Sequence, residues 1–265
     1  MNDFIQLSSN IQSIQIGKIK VDHVGLAQAV AQIDCFVNAG TPHQVVTANM
    51  RFLSLAQHDR EFAWIVNRSA LVVADGMPLV WLSKLMGTPL PARVTGGDLL
   101  NACAELAADR RYSVFLLGAR PGVAEESGRR LSGIYPGLEI TGTHHGYLSG
   151  DEEEHKVLRE IRDAQPQMLF VAMGCPKQEQ WIYRNLADLQ VPVCMGIGGV
   201  LEVVAGRLKT APVWMQGTGL EWTYRLKQEP RRLWKRYLIE DIPTGLRLGT
   251  AALVQRTRTS THAGK

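Results

Sequence analysis

A carboxylate that ends a buried strand and opens a turn is a candidate general base, and Asp75 stands in that position. Leu71-Val72-Val73-Ala74 is a short apolar run with two β-branched residues, stopped at once by Gly76 and by Pro78, which suits the first turn of a helix. In an open parallel sheet the carboxyl ends of the strands face the ligand crevice, where loops diverge and helix N-termini point inward. The same carboxylate can instead cap the following helix, and this segment alone leaves both readings open.

Other turns carry groups suited to phosphates and sugars. Thr47 and Asn49 close the strand Gln44–Ala48, and Gly118 opens the turn Gly118-Ala119-Arg120-Pro121-Gly122. Gly174-Cys175-Pro176-Lys177-Gln178 follows another strand, and Gly198-Gly199 end the last one. Such turns offer backbone N–H groups to anions. Gln178, at a helix start, can donate to a phosphate or sugar. A diphosphate bound without metal needs protein cations, and Arg93, Arg120, Lys177 and the tail arginines are the candidates.

Several chemistries are set aside. Gly196-Ile197-Gly198-Gly199 is not Gly-x-Gly-x-x-Gly and follows the last strand rather than the first, so a nicotinamide fingerprint is missing, as is a P-loop. Asp75 belongs to no Asp-x-Asp pair. His144-His145 is set aside as a metal site, because neighbours on a strand point apart and no third ligand is spaced with them. No cofactor is expected. The cysteines Cys35, Cys103, Cys175 and Cys194 form no Cys-x-x-Cys pair and read as small buried residues in a reducing compartment.

The elements that must position these residues follow a rhythm of strand, glycine or proline turn, and helix. Strands are expected at Gln44–Ala48, Leu71–Ala74, Tyr112–Leu117, Leu138–Thr143, Met168–Met173 and Val191–Ile197, after a weakly alternating strand or hairpin within Ile11–Val21. Helices are expected at Leu26–Val37, after Asn49, at Leu79–Leu85, Leu99–Ala108, to about Leu131, at Glu152–Ala164 and at Glu179–Leu189. The pattern predicts an α/β fold, a Rossmann-like parallel sheet with helices on both faces. The 265 residues, 45% hydrophobic and 20% charged, suit a soluble globular chain. Met1–Phe4 does not open a signal peptide, and no apolar run is long enough to span a bilayer.

Charge divides the chain. Residues 1–204 carry 17 Lys/Arg against 21 Asp/Glu, and residues 205–265 carry 12 against 4, which predicts an acidic Rossmann-like body, 1–204, carrying a basic C-terminal helical appendage, 205–265. In Arg231-Arg232-Leu233-Trp234-Lys235-Arg236-Tyr237-Leu238, helical winding gathers Leu233, Trp234, Tyr237 and Leu238 on one arc and four cations on the other. This composition suits an anionic membrane surface; packing on the chain's own domain is the plainer alternative. No nucleic-acid motif accompanies the basic tail. The Thr/Ser-rich Thr257–Thr261 is expected to be disordered.

Together, Thr47-Ala48-Asn49, Ala74–Pro78, Arg93–Asp98, Leu116-Leu117-Gly118, Gly174–Glu179, Gly196–Gly199 and the run Ala205–Tyr237 resemble the WecG/TagA/CpsF family of bacterial glycosyltransferases. The resemblance implies an inverting, metal-independent transfer from a UDP-sugar to a sugar carried on polyprenyl diphosphate, at the inner leaflet, with Asp75 as base. The sugar would be N-acetylmannosamine, its uronic acid or glucose. It implies that Thr47, Asn49, Arg93 and Gln178 surround the donor or catalytic pocket, and that Arg225, Arg232 and Arg236 complete the site when the appendage docks at the membrane. Leu201-Glu202 stands where many relatives have Phe-Asp, and Glu202 is expected to accept from a ribose hydroxyl. A homo-oligomer is compatible with this reading. The rival class is a non-enzymatic nucleotide- or nucleic-acid-binding protein using the same sheet edge, and a nicotinamide-dependent oxidoreductase is the rival enzyme.

Overall fold

The computed structural model describes residues 11–216 and 218–262; Met1–Phe4 lies outside them. A hairpin, β1 (Ser13–Ile16) with β2 (Ile19–Asp22), precedes the main sheet, which holds β3 (His43–Ala48), β4 (Leu71–Ala74), β5 (Ser113–Gly118), β6 (Glu139–His144), β7 (Met168–Ala172) and β8 (Val193–Gly196). The order is β4-β3-β8-β7-β5-β6 and every pairing is parallel. All the strand carboxyl ends therefore share one rim. Asp75 follows the strand at one edge and His144 ends the strand at the other.

The helices are α1 (Leu26–Ala39), α2 (Met50–His58), α3 (Arg60–Arg68), α4 (Met77–Leu85), α5 (Gly96–Arg110), α6 (Val123–Ile134), α7 (Asp151–Ala164), α8 (Lys177–Leu189) and the short α9 (Val200–Val204). Alternation along each strand divides the core between the two faces. Val45, Leu71, Val73, Leu116, Phe170 and Met195 pack with Ile33 of α1, Leu99 and Leu100 of α5 and Leu131 of α6. On the opposite face Val46, Val72 and Ala74 meet Phe52, Leu53 and Phe62 of α2 and α3, while Leu117, Leu169 and Val171 meet Val157, Trp181 and Ile182 of α7 and α8. Both faces are covered, as a parallel sheet requires.

Helix starts differ from the sequence expectation where glycine misled it. Gly96-Gly97-Asp98 form the first turn of α5 rather than a loop, because Thr95 and Asp98 make a reciprocal capping box. Lys177 and Gln178 open α8, the helix start expected for them, so that helix begins two residues before Glu179.

The appendage holds α10 (Val213–Gln216), α11 (Glu221–Gln228), α12 (Pro230–Trp234), a π-helix at Lys235–Asp241 and α13 (Ile242–His262). Helix α13 runs through Thr257–Thr261, which corrects the expected disorder: Ser and Thr carry only a modest helix penalty, and a long helix already nucleated propagates through them. The single apolar arc is also corrected. Leu233 is buried and Tyr237 turns its ring edge-on to Trp222 at 5.8 Å, whereas Trp234 and Leu238 face outward. Packing decides this, because Ser54 of α2 donates to Asp241 Oδ1 at 2.9 Å and Arg51 pairs with Glu240, fixing one side of the π-helix on α2. No described helix is long and apolar enough to cross a membrane.

Candidate active site

Strand β4 ends at Ala74 because Gly76 adopts a φ of 129°, in a region that other residues rarely enter. Backbone bonds fix the turn on both sides: the Asp75 N–H donates to the Ala48 carbonyl at 2.7 Å and the Val94 N–H to the Ala74 carbonyl at 2.8 Å. The N-cap position of α4 belongs to Gly76, so Asp75 is not its cap. The Asp75 carboxylate instead meets the Gly96 N–H at the start of α5.

Burial raises the Asp75 carboxyl from 3.8 to about 6, against the opposing pull of Arg225 and then Arg93, while Glu221 adds to the rise and the Gly96 N–H lowers it. Two of these groups belong to the appendage. Glu221 and Arg225 lie one turn apart on α11. Glu221 pairs with Arg93, whose Nη1 also donates to the Gln216 carbonyl at 2.8 Å. The electrostatics of the strand-end carboxylate are therefore set in part by residues more than a hundred positions away in sequence. Glu221 escaped the sequence reading, since nothing local distinguishes it from a solvated helix-start acid.

The neighbouring strand ends are knitted together. Thr47 is buried and donates to the Gly196 carbonyl at 3.0 Å, joining β3 to β8. Asn49 caps α2, accepting from the Arg51 N–H at 3.0 Å. Gln178 is buried, and its Oε1 accepts from the Gly174 and Gly198 N–H groups at 3.0 Å each. Its Nε2 donates to Glu179 Oε1 at 2.6 Å. The Gln178 amide thus holds two ligand-facing turns in place rather than projecting into the crevice. Glu179, which the sequence reading did not single out, is buried and raised to about 7 by that burial, with Oε2 lacking a hydrogen-bond partner.

Gly118 has a φ of 128°, and a Cβ there would lie 2.5 Å from the Ala172 carbonyl carbon. That close approach lets β5 and β7 end side by side. Lys177 is exposed at the start of α8.

The other charged candidates are engaged with one another. Arg120 grips Glu202 through two bonds of 2.9 Å, so the carboxylate expected to meet a ribose is paired with a cation expected to meet phosphate. Arg232 pairs with Glu229, and Arg236 reaches Asp241 at 3.3 Å. Of the three tail arginines carried over by resemblance, only Arg225 is among the leading influences on Asp75. One expectation is reversed: the His144 and His145 rings converge, centroids 4.4 Å apart, because the backbone leaves the extended conformation after His144, and Glu153 supplies the third group.

A carboxylate poised near neutrality, within the field of two guanidinium groups at the carboxyl rim of a parallel sheet, fits proton removal beside a departing anion. A sequence profile described as the Glycosyl transferase WecG/TagA/CpsF family matches residues 14–260, a span that contains Asp75, Arg93 and Arg225. The chain belongs to that family. Among WecG/TagA/CpsF relatives, a protein of Staphylococcus aureus (strain MW2) named N-acetylglucosaminyldiphosphoundecaprenol N-acetyl-beta-D-mannosaminyltransferase is 34% identical over 231 residues, covering 86% of this chain and 90% of its own. The protein of the same name from strain NCTC 8325 / PS 47 matches to the same extent. Membership makes this chain a glycosyltransferase and sets aside the binding-only and oxidoreductase readings.

Proposed function

We propose that this glycosyltransferase moves N-acetylmannosamine from UDP onto N-acetylglucosamine carried by undecaprenyl diphosphate, with inversion and without a metal ion. The relatives' name supplies the sugar and the acceptor. The observation that supports the mechanism is that the Asp75 carboxyl, raised to about 6 by burial, feels the charges of both Arg225 and Arg93. Ionised at neutral pH, Asp75 takes the proton from the acceptor hydroxyl as the oxygen attacks the anomeric carbon. The bond to UDP breaks on the opposite face, so configuration inverts. Arg93 and Arg225 offset the charge that develops on the departing diphosphate.

The appendage supports a peripheral seat at the inner leaflet, where the acceptor's diphosphate would lie. Trp234, Leu238, Ile242 and Leu246, spaced by four, are exposed at 43%, 49%, 38% and 68%. The cations Arg231, Lys235 and Arg247 are exposed alongside. Apolar residues and cations on one exposed segment match an anionic lipid surface. We place the boundary between catalytic domain and appendage at residues 204 and 205, just after α9.

A donor screen tests the whole reading. The full chain, incubated with several UDP-sugars and a short-chain N-acetylglucosaminyl polyprenyl diphosphate, is expected to yield one product heavier by an N-acetylhexosamine residue. Exclusive transfer of another sugar would reject the donor assignment, and no transfer from any UDP-sugar would reject the mechanism.

A further inference from the structure

At the opposite edge of the sheet from Asp75, His144 ends β6, His145 follows it, and Glu153 lies in the first turn of α7. One ligand atom from each of the three residues can be chosen so that all lie within 4.8 Å of one another. Two imidazoles and a carboxylate are a ligand set for zinc and its first-row neighbours, with a fourth position left for water.

The surroundings orient the set. His144 Nδ1 is 2.7 Å from the His145 carbonyl, which only accepts, so that nitrogen carries the proton and Nε2 keeps its lone pair for a ligand. Glu153 Oε2 accepts from both the N–H and the hydroxyl of Ser149, at 2.8 and 2.7 Å, and so leaves Oε1 turned toward the imidazoles. His145 Nε2 stands 3.9 Å from that Oε1, too far for a hydrogen bond. Tetrahedral ligands at about 2.0–2.1 Å from an ion lie roughly 3.4 Å apart, so the pair needs to close by about half an ångström. His145 Nδ1, the ring nitrogen turned away from Glu153, is buried with no hydrogen-bond partner within the chain, so it calls for a water and leaves Nε2 as the ligand atom.

The loop bearing His145 is pressed against the neighbouring turn: the Gly146 N–H donates to the Ala119 carbonyl at 3.0 Å, and a Cβ at Gly146 would lie 2.9 Å from Gly118 Cα. From these juxtapositions we infer that His144, His145 and Glu153 form a binding site for one divalent transition-metal ion, zinc by ligand type, which fastens the β6–α7 loop to the rim. The ion takes no part in sugar transfer. β4 and β6 are opposite edges of the six-stranded sheet, and five spacings of about 4.8 Å put the site on the order of 24 Å from the Asp75 turn.

The test uses the full chain without an affinity tag, stripped with a chelator and dialysed, then titrated calorimetrically with zinc chloride. One ion per chain is expected, together with a higher melting temperature. Cobalt in place of zinc should give the intense visible absorption of a four-coordinate ion. His145→Ala and Glu153→Gln should abolish both signals. Ser149→Ala, which removes a bond that orients Glu153, should weaken binding by roughly 10- to 100-fold. His155→Ala, on the exposed side of the same helix, should change nothing.

Zinc binding that is equal in wild type, His145→Ala and Glu153→Gln, or lost equally in His155→Ala, would overturn the site. So would a cobalt spectrum no stronger than that of the hydrated ion. Circular dichroism of each variant separates lost ligation from lost fold. Neither result bears on the donor screen, so the metal site and the transferase reading fail separately.

Discussion

If burial holds the Asp75 carboxyl up at about 6, replacing it should make the protein more stable while disabling it. The folded chain binds this proton to higher pH than the unfolded chain, where the group titrates near 3.8. Ionisation of this carboxyl therefore disfavours the folded state: its contribution to stability is fullest below pH 4 and is lost as pH climbs through 6. The full penalty is roughly 3 kcal/mol, from a rise of about two pH units at 1.36 kcal/mol each. Asn cannot ionise and keeps an oxygen for the Gly96 N–H. Asp75→Asn should thus raise the unfolding free energy by about 3 kcal/mol at pH 8 and by about half as much at pH 5. Urea denaturation at the two pH values measures both differences. Turnover, assayed on the same preparation, should fall by about 10²- to 10⁴-fold. A variant no more stable than wild type at pH 8, or equally stabilised at both pH values, would show that burial does not govern this carboxyl. Near-normal turnover would remove it from the base role.

Three further outcomes follow from the same coordinates. Glu221→Gln removes a charge that raises the Asp75 carboxyl, so the acid limb of kcat/KM, expected near pH 6 in wild type, should move to lower pH; an unmoved limb would separate α11 from the active site. Gly118→Ala puts a Cβ 2.5 Å from the Ala172 carbonyl carbon at a φ of 128° and should destabilise by about 3 kcal/mol or more, read as an earlier urea midpoint. Exchanging Trp234, Leu238 and Ile242 for Ser should release the chain from anionic liposomes in a flotation assay while leaving its circular dichroism intact, since all three side chains face outward.

Sequence and structure agree most closely where a local rule acts alone. Four of the six strands, β4, β5, β7 and β8, were legible because each is a buried apolar run closed within two residues by glycine, and Asp75 was legible as a strand-end carboxylate for the same reason. Charge asymmetry exposed the appendage, though not its contacts. What escaped the sequence was every partnership formed across the fold. Gln178 reads as a helix-start donor, yet tertiary placement turns its amide onto Gly174 and Gly198. Glu202 reads as a free acceptor until Arg120, 82 positions away, is seen to hold it. The arc of Leu233, Trp234, Tyr237 and Leu238 split because a π-helix begins within it and α2 fixes which side faces inward. Glu221 carried no local signal, and Glu153 only that of an acidic run, Asp151–Glu154, which reads as a solvated helix start; each gains its meaning from groups that only folding brings near.

The strand order β4-β3-β8-β7-β5-β6 leaves the carboxylate and the imidazole pair at opposite margins of one rigid slab. Mutational drift can reshape either margin without retuning the other. Descendants of this chain should therefore be able to gain or discard a loop fastening at β6 while the proton chemistry beside β4 stays as it was.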